Sequence, residues 1–156
     1  MPNIITLNTD PKIRITVEFE DSQVKKTCLS LSESFECEWV GNGDERVKEE
    51  LLAFLKSYTL CKTMILPLPL QKLTPFRSNV LTTLQTVPFG SVVSYGELAE
   101  LSGHPRAARA VGSACHHNPF PLFIPCHRVI ASGRKMGGFA FNLRIKKRLL
   151  DFEAGY

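Results

Sequence analysis

The sequence predicts an α+β fold: a small N-terminal antiparallel sheet with one helix, followed by a mainly helical C-terminal domain containing a helix-turn-helix. Three observations predict it. Period-two alternation is confined to residues 12–39. Apolar residues then recur at spacings of three and four, first over Glu45 to Ser57 and again after Thr74. Helix-start residues (Thr74-Pro75, Ser94, Asn142) all fall in the second half. The expected boundaries are 1–60 for the first domain, 61–73 for a linker and 74–156 for the second.

In the first domain, Ile13, Ile15, Val17 and Phe19 alternate with Arg14, Thr16, Glu18 and Glu20, the pattern of a half-buried strand. Asp21-Ser22 is a turn, and Val24 to Leu31 returns as a second strand. Phe35, Cys37 and Trp39 alternate with Glu36 and Glu38 and make a third. The run Gly41-Asn42-Gly43-Asp44 breaks the chain before a helix with Val47, Leu51, Phe54 and Leu55 on its apolar face. Pro67 and Pro69 lie in the aperiodic linker.

In the second domain, Thr74 caps a helix with Pro75 at its first position, where the missing N–H does no harm. Pro88-Phe89-Gly90 ends it. Ser94 to Glu97 reads as a capping box for a short helix ending near Gly103. His104-Pro105 opens another helix, running to about His117, and the pair makes the helix-turn-helix candidate. Phe120 to Ile124 is expected as a short buried strand, Gly133 to Gly138 as a loop, and Asn142 as the cap of a last helix carrying Ile145, Leu149, Leu150 and Phe152.

The chain has 156 residues, 44% hydrophobic and 22% charged, enough for a core of its own and too apolar for a disordered chain. No run of about 18 uncharged apolar residues is present, so no membrane span is expected. The first 20 residues are charged and lack an apolar stretch, so no signal peptide is expected and the predicted location is the cytoplasm, or the nucleus in a eukaryote. Cys28, Cys37, Cys61, Cys115 and Cys126 are odd in number, without Cys-x-x-Cys spacing, and are expected as free thiols. Charge is uneven. Residues 1–73 hold 9 Lys/Arg against 11 Asp/Glu, net −2, whereas residues 74–156 hold 10 against 4, net +6. The basic half fits either a nucleic-acid partner or a solvated basic face.

Two features of that half carry chemistry. Ala107, Ala108, Ala110, Gly112, Ser113 and Ala114 give one helix a surface of small residues, with Arg106 and Arg109 among them. Such a helix packs tightly on another helix, or lies close in a nucleic-acid groove with an arginine projecting into the duplex. Pro125-Cys126-His127-Arg128 follows the apolar Phe120–Ile124 stretch. A cysteine on a rigid element beside a histidine and basic residues is where a depressed thiol pKa is expected. An inert core thiol is the alternative. A metal site from Cys115, His116, His117, Cys126 and His127 fits no common zinc spacing.

Ile124 to Val129 resembles the active-site motif of the O6-alkylguanine-DNA alkyltransferases. Further blocks match in order: Thr74-Pro75-Phe76, Val87 to Gly90, Ser94 to Ala99, Ala108 to Gly112, Asn118-Pro119, and Leu149-Leu150 to Glu153. The resemblance covers about residues 74–153. It implies repair by direct reversal, with the alkyl group of O6-alkylguanine, and of O4-methylthymine, moved once and irreversibly to Cys126 after base flipping. It implies that His127 takes the thiol proton through a water, that Glu153 holds His127 in its tautomer, and that Asn118 ties the helix-turn-helix to the active-site segment. Tyr95 is implied as proton donor and phosphate contact, and Arg109 as the residue filling the space of the extruded nucleotide. Ala108, Ala110 and Gly112 are implied to line the DNA minor groove, and Val129 and Ala140 to read the base. It implies alkylated double-stranded DNA as partner, a monomer, and neither metal nor cofactor.

The chain departs from the family pattern in places. Leu81 stands where a Trp is usual, and Phe139-Ala140-Phe141-Asn142 replaces a Tyr-x-Gly-Gly stretch. Phe141 is expected to narrow the pocket and to favour methyl over benzyl groups. The zinc site of some relatives is not expected, because residues 1–73 contain no histidine. A damage-recognition module without transfer and a cysteine hydrolase are the competing classes. Cys126 argues against the first, and nothing points to an acyl substrate for the second.

Overall fold

The computed structural model describes residues 2–154. Met1, Gly155 and Tyr156, at the outer ends of the two expected domains, lie outside the described residues. The fold is mixed α+β. A four-stranded sheet of order β1-β4-β2-β3 is built from β1 (Ile4–Asn8), β2 (Ile13–Glu20), β3 (Gln23–Leu31) and β4 (Phe35–Val40). The alternation in β2 is realised: Ile13, Ile15 and Val17 are fully buried, while Arg14, Thr16 and Glu18 are half-exposed on the other face.

Two features of the sheet correct the sequence expectation. First, the sheet has an additional strand, β1, outside the alternating stretch of residues 12–39. Its Ile4-Ile5 start does not alternate, and as an edge strand it leaves Ile4 exposed. Second, the sheet is not wholly antiparallel. β1–β4 and β2–β3 are antiparallel, but the central pair β2–β4 is parallel, with Ile15 opposite Cys37. Residues 32–34 carry the chain across the end of β2, so β4 runs the same way as β2. An inward-facing alternation reads the same in either direction, so periodicity does not distinguish the two pairings.

Helix α1 (Glu45–Thr59) starts at Asp44, whose carboxylate accepts from Arg46 N at 2.8 Å. Leu51, Phe54, Leu55 and Tyr58 form its buried stripe. Residues 61–73 run without regular structure over the surface of the next elements. They are pinned by Gln85 Nε2 donating to Leu66 O at 2.8 Å and Phe89 N donating to Thr63 Oγ1 at 3.0 Å. Leu66 and Leu70 are buried there.

The remainder comprises α2 (Pro75–Leu84), β5 (Val93–Ser94), α3 (Tyr95–Leu101), α4 (Ala108–His116), β6 (Val129–Ile130) and α5 (Leu143–Glu153). Thr74, Ser94 and Asn142 accept from backbone N–H groups at their helix starts, as the sequence predicts. Of the capping box only the Ser94 half forms; among the described residues Glu97 returns no bond to Ser94. Helix α4 begins at Ala108 rather than Pro105, because residues 104–107 form a turn closed by Ala107 N donating to His104 O at 3.0 Å. Leu81, at the position where Trp is usual, is buried in the core.

The expected strand at Phe120–Ile124 is absent. Pro119, Pro121 and Pro125 remove ladder donors, Leu122 has φ of 74°, and Ile124 N bonds back to Phe120 O at 2.8 Å. The segment is nonetheless deeply buried. Strand β3 holds it from the side: Thr27 N donates to Pro119 O at 2.8 Å and Thr27 Oγ1 to Pro121 O at 3.2 Å. One continuous apolar cluster joins the sheet, α1 and the C-terminal helices.

Candidate functional site

Cys126, His127 and Arg128 form one 3-10 turn, and all three are buried. Its entry is splinted by Asn118. The amide nitrogen of Asn118 donates to Ile124 O at 2.9 Å, and its oxygen accepts from Phe120 N at 3.0 Å. Its exit runs into β6, which pairs in parallel with β5 through Val93 opposite Val129. That two-residue ladder places Tyr95, the first residue of α3, beside the turn. The Tyr95 ring lies between Gly112 of α4 and Gly137 of the loop: a Cβ would fall 3.8 Å from the ring at Gly112 and 3.4 Å at Gly137. Gly137 has φ of +73°, and a Cβ there would also lie 3.2 Å from Ala131 N, so glycine is favoured on both counts.

Glu153 gathers the turn from behind. Its Oε2 meets His127 Nε2 and accepts from Tyr58 Oη at 2.8 Å. Its Oε1 accepts from Arg128 Nε at 2.6 Å and from Gly90 N at 3.3 Å. Arg128 also donates to Val87 O at 2.7 Å. Burial works to raise the Glu153 carboxyl, but His127 and Arg128 outweigh it and hold it at about 2. Glu153 is therefore an acceptor only, and the proton between it and His127 sits on Nε2. Burial lowers the His127 pKa, with Glu153 opposing, so the ring is held towards neutral. His127 Nδ1 then carries a lone pair, and it has no hydrogen-bond partner among the described residues.

The sequence expectation of a depressed thiol is corrected. Burial raises the Cys126 pKa, and the opposing influences of Asn118 and Lys146 do not overcome it. The resting group is a thiol, and removing its proton falls to a neighbouring base. Lys146, on α5 and fully buried, donates to Val129 O at 2.7 Å and Gly138 O at 3.0 Å, fastening β6 to the loop. Its charge reaches both Cys126 and Cys115. Cys115, also buried, is pushed up to about 12 by burial and the nearby Cys126.

The structure thus brings together Cys126, His127, Glu153, Asn118 and Tyr95. Val129 lines the same region, with its N–H donating to Cys126 O and its carbonyl bound to Lys146. Ala140 lies in the exposed part of the loop. Ala108, Arg109 and Ala110 are exposed on α4, whereas Val111, Ala114 and Cys115 face the core. Of the small-residue surface, Ala108, Ala110 and Ser113 are therefore left open, whereas Ala114 packs inward and Gly112 lies against Tyr95 of α3. The surface borders a cleft of about 450 Å³ lined by Tyr95, Arg109, Gly112 and Ser132, among others.

Sequence reasoning missed Tyr58, Arg128 and Lys146. A signal existed for each. Tyr58 falls on the apolar stripe of α1 and carries a polar tip. Lys146 and Glu153 share a helical stripe with Leu149 and Leu150. Arg128 adjoins the motif. Among the described residues no group of three or more His, Cys, Asp or Glu is placed to hold a metal, and no helix is long and apolar enough to cross a membrane.

Residues 75–155 match the family model described as 6-O-methylguanine DNA methyltransferase, DNA binding domain, which is just over half of the chain. The chain belongs to the 6-O-methylguanine DNA methyltransferase family. Among curated relatives, the methylated-DNA–protein-cysteine methyltransferase of Saccharomyces cerevisiae is 38% identical over 106 residues, covering 64% of this chain and 56% of that protein. The protein of the same name from Shigella flexneri is 49% identical over 83 residues, covering 53% of this chain and 48% of that one. The chain thus spans about half the length of these curated relatives. The structure of Mycobacterium tuberculosis OGT in complex with DNA superposes with a TM-score of 0.66 at 26% identity, over 91% of this chain and 93% of that one. The methyltransferase-family likeness to that structure therefore extends beyond residues 75–155 to the sheet and α1.

Proposed function

We propose that this chain repairs alkylated DNA by moving the alkyl group from O6 of guanine, and from O4 of thymine, to Cys126 Sγ. The observation that carries this is the buried Cys126–His127–Glu153 arrangement, in which Glu153 holds the Nε2 proton and leaves His127 Nδ1 as a base. His127 takes the thiol proton, through a bridging water. The sulfur then attacks the alkyl carbon in line, the carbon–O6 bond breaks, and its electrons stay with the guanine. Tyr95, whose pKa burial raises, stays a phenol able to donate a proton to the departing base. Atoms and charge balance without a metal or cofactor. The thioether formed has no carbonyl for water to attack, so each molecule acts once.

The target atom lies within the base stack, so the nucleotide must leave it. We assign the α3–turn–α4 pair as a helix-turn-helix, with the exposed surface of Ala108, Ala110 and Gly112 set against the minor groove and Arg109 filling the vacated stack. Val129 and Ala140 read the flipped base by backbone groups; the Val129 carbonyl keeps one lone pair beyond its bond to Lys146. Residues 1–60 and 74–156 are assigned as two domains joined by 61–73. The protein acts as a monomer on double-stranded DNA, in the cytoplasm or, in a eukaryote, in the nucleus.

The test is intact-protein mass spectrometry after incubation with a duplex carrying one O6-methylguanine. One added methyl group, mapped to Cys126 and saturating at one equivalent, supports the proposal. The Cys126→Ser variant is expected to bind the duplex without gaining mass. Repeated turnover, or binding without mass gain by the unaltered protein, overturns it.

A further inference from the structure

The residue that completes the Glu153 environment comes from α1, outside the matched segment 75–155. Tyr58 is 2% exposed, and its ring is fixed by Phe35, Phe89 and Phe152, with centroids 5.9, 5.3 and 5.4 Å away. That packing leaves its hydroxyl little freedom, and it points at Glu153 Oε2, the oxygen that also faces His127. A carboxylate offers about four acceptor sites. Here Tyr58 and His127 occupy Oε2, while Arg128 and Gly90 occupy Oε1. Arg128 and Gly90 hold Oε1, and Tyr58 adds to His127 a second donor on Oε2, one whose own position is fixed by packing.

We propose that Tyr58 is a positioning residue: it holds Glu153 Oε2 on His127 and sets how strongly that histidine binds its proton. The inference rests on the transfer mechanism above and extends it to the N-terminal half, which thereby contributes to the site. Tyr58 and His127 share one oxygen, so they compete for its charge. With Tyr58 donating, less negative charge is left for His127, and the ring stays neutral with Nδ1 available. Without the hydroxyl, Oε2 has one donor fewer, presents more of its charge to His127 and holds the imidazolium more tightly. The other charged or titratable groups facing this cluster are Arg128 from the turn, Lys146 from α5 and Cys61 beyond α1. A purely structural hydroxyl would alter stability and leave the histidine's titration in place.

The test compares Tyr58→Phe with Phe35→Leu in the full chain. Phe35 packs on the same ring, and its side chain has no polar atom with which to bond the carboxylate. The readouts are the single-turnover transfer rate against pH and the ¹⁵N NMR titration of His127. Tyr58→Phe is expected to lower the rate about tenfold at neutral pH, the size of one hydrogen bond to a charged group. Its acid limb and the His127 titration are expected to move to higher pH, with partial recovery of rate in alkali. Phe35→Leu is expected to lower the melting temperature with both titrations unmoved. An unmoved limb in Tyr58→Phe, or an equal shift in Phe35→Leu, overturns the inference. If the unaltered protein transfers no alkyl group, the transfer mechanism falls, and the His127 titration by itself decides whether Tyr58 positions the pair.

Discussion

Replacing Glu153 by Gln tests the centre of the site through stability as well as chemistry. The carboxyl falls from its usual 4.5 to about 2 on folding. At about 1.4 kcal/mol per pH unit, that difference corresponds to about 3 kcal/mol of folding stability. The sign follows from a pKa lower in the folded state. The stabilisation is fully present above the unfolded value of 4.5 and is lost as pH falls through the folded value. Removing the charge also leaves Arg128 buried without its counter-ion, a change that costs about 3–5 kcal/mol in comparable buried pairs. Glu153→Gln is therefore expected to be about 3 kcal/mol or more less stable at neutral pH, with transfer slowed because the Nε2–H of His127 loses its charged acceptor. Urea unfolding followed by circular dichroism, from neutral pH down into acid, reads this directly. The gap between the two proteins should narrow as pH falls below 4.5, because the natural chain then loses what the variant lacks. His127, whose pKa burial lowers, favours unfolding as pH drops below its usual 6.5, and more so in the variant, so the gap is expected to be widest just above pH 4.5 and to close from there towards the folded Glu153 value of about 2. A variant as stable as the parent at neutral pH, or a gap unchanged across the acid range, would refute the reasoning.

Other substitutions separate the remaining roles. Lys146→Met strips two carbonyls of a donor and removes the cation near Cys126. It should cost about 2–4 kcal/mol and raise the thiol pKa further, measured by alkylation rate against pH; an unchanged thiol titration would show that the cation is not felt there. Arg109→Ala should weaken duplex binding and slow transfer together, with a shallower salt dependence in fluorescence anisotropy. Tyr95→Phe should slow transfer more than it weakens binding, and equal losses would move its role from proton donation to contact. Phe141→Gly should raise transfer from O6-benzylguanine relative to O6-methylguanine. Phe141 packs with its ring centroid 5.8 Å from that of Phe139 in the loop bordering the site, and an unchanged ratio of the two rates would remove it as a determinant of group size.

Much of this molecule was legible from local pattern. Alternation defined β2 and β4, the turn at Asp21-Ser22 gave β3, three-four spacing defined α1 and α5, and Thr74, Ser94 and Asn142 marked helix starts, because each reports the geometry of one local stretch. The Cys126-His127 motif and its companions pointed to a family with no knowledge of the fold. Pairing direction was not legible: β2 and β4 run parallel because of where residues 32–34 cross, which no inward-facing pattern records. Nor was the absence of a strand at Phe120–Ile124, where an apolar run met three prolines and was held by Thr27 instead of by a ladder. The state of the thiol belonged to the tertiary structure as well. Neighbouring basic residues suggest a lowered pKa, but desolvation depends on everything packed around the sulfur, and here it dominates. The surroundings of Glu153 make the same point. Tyr58 stands 95 residues away in the chain, and only the tertiary packing of its ring, at the end of α1, against Phe152 of the C-terminal helix brings its hydroxyl to that carboxylate.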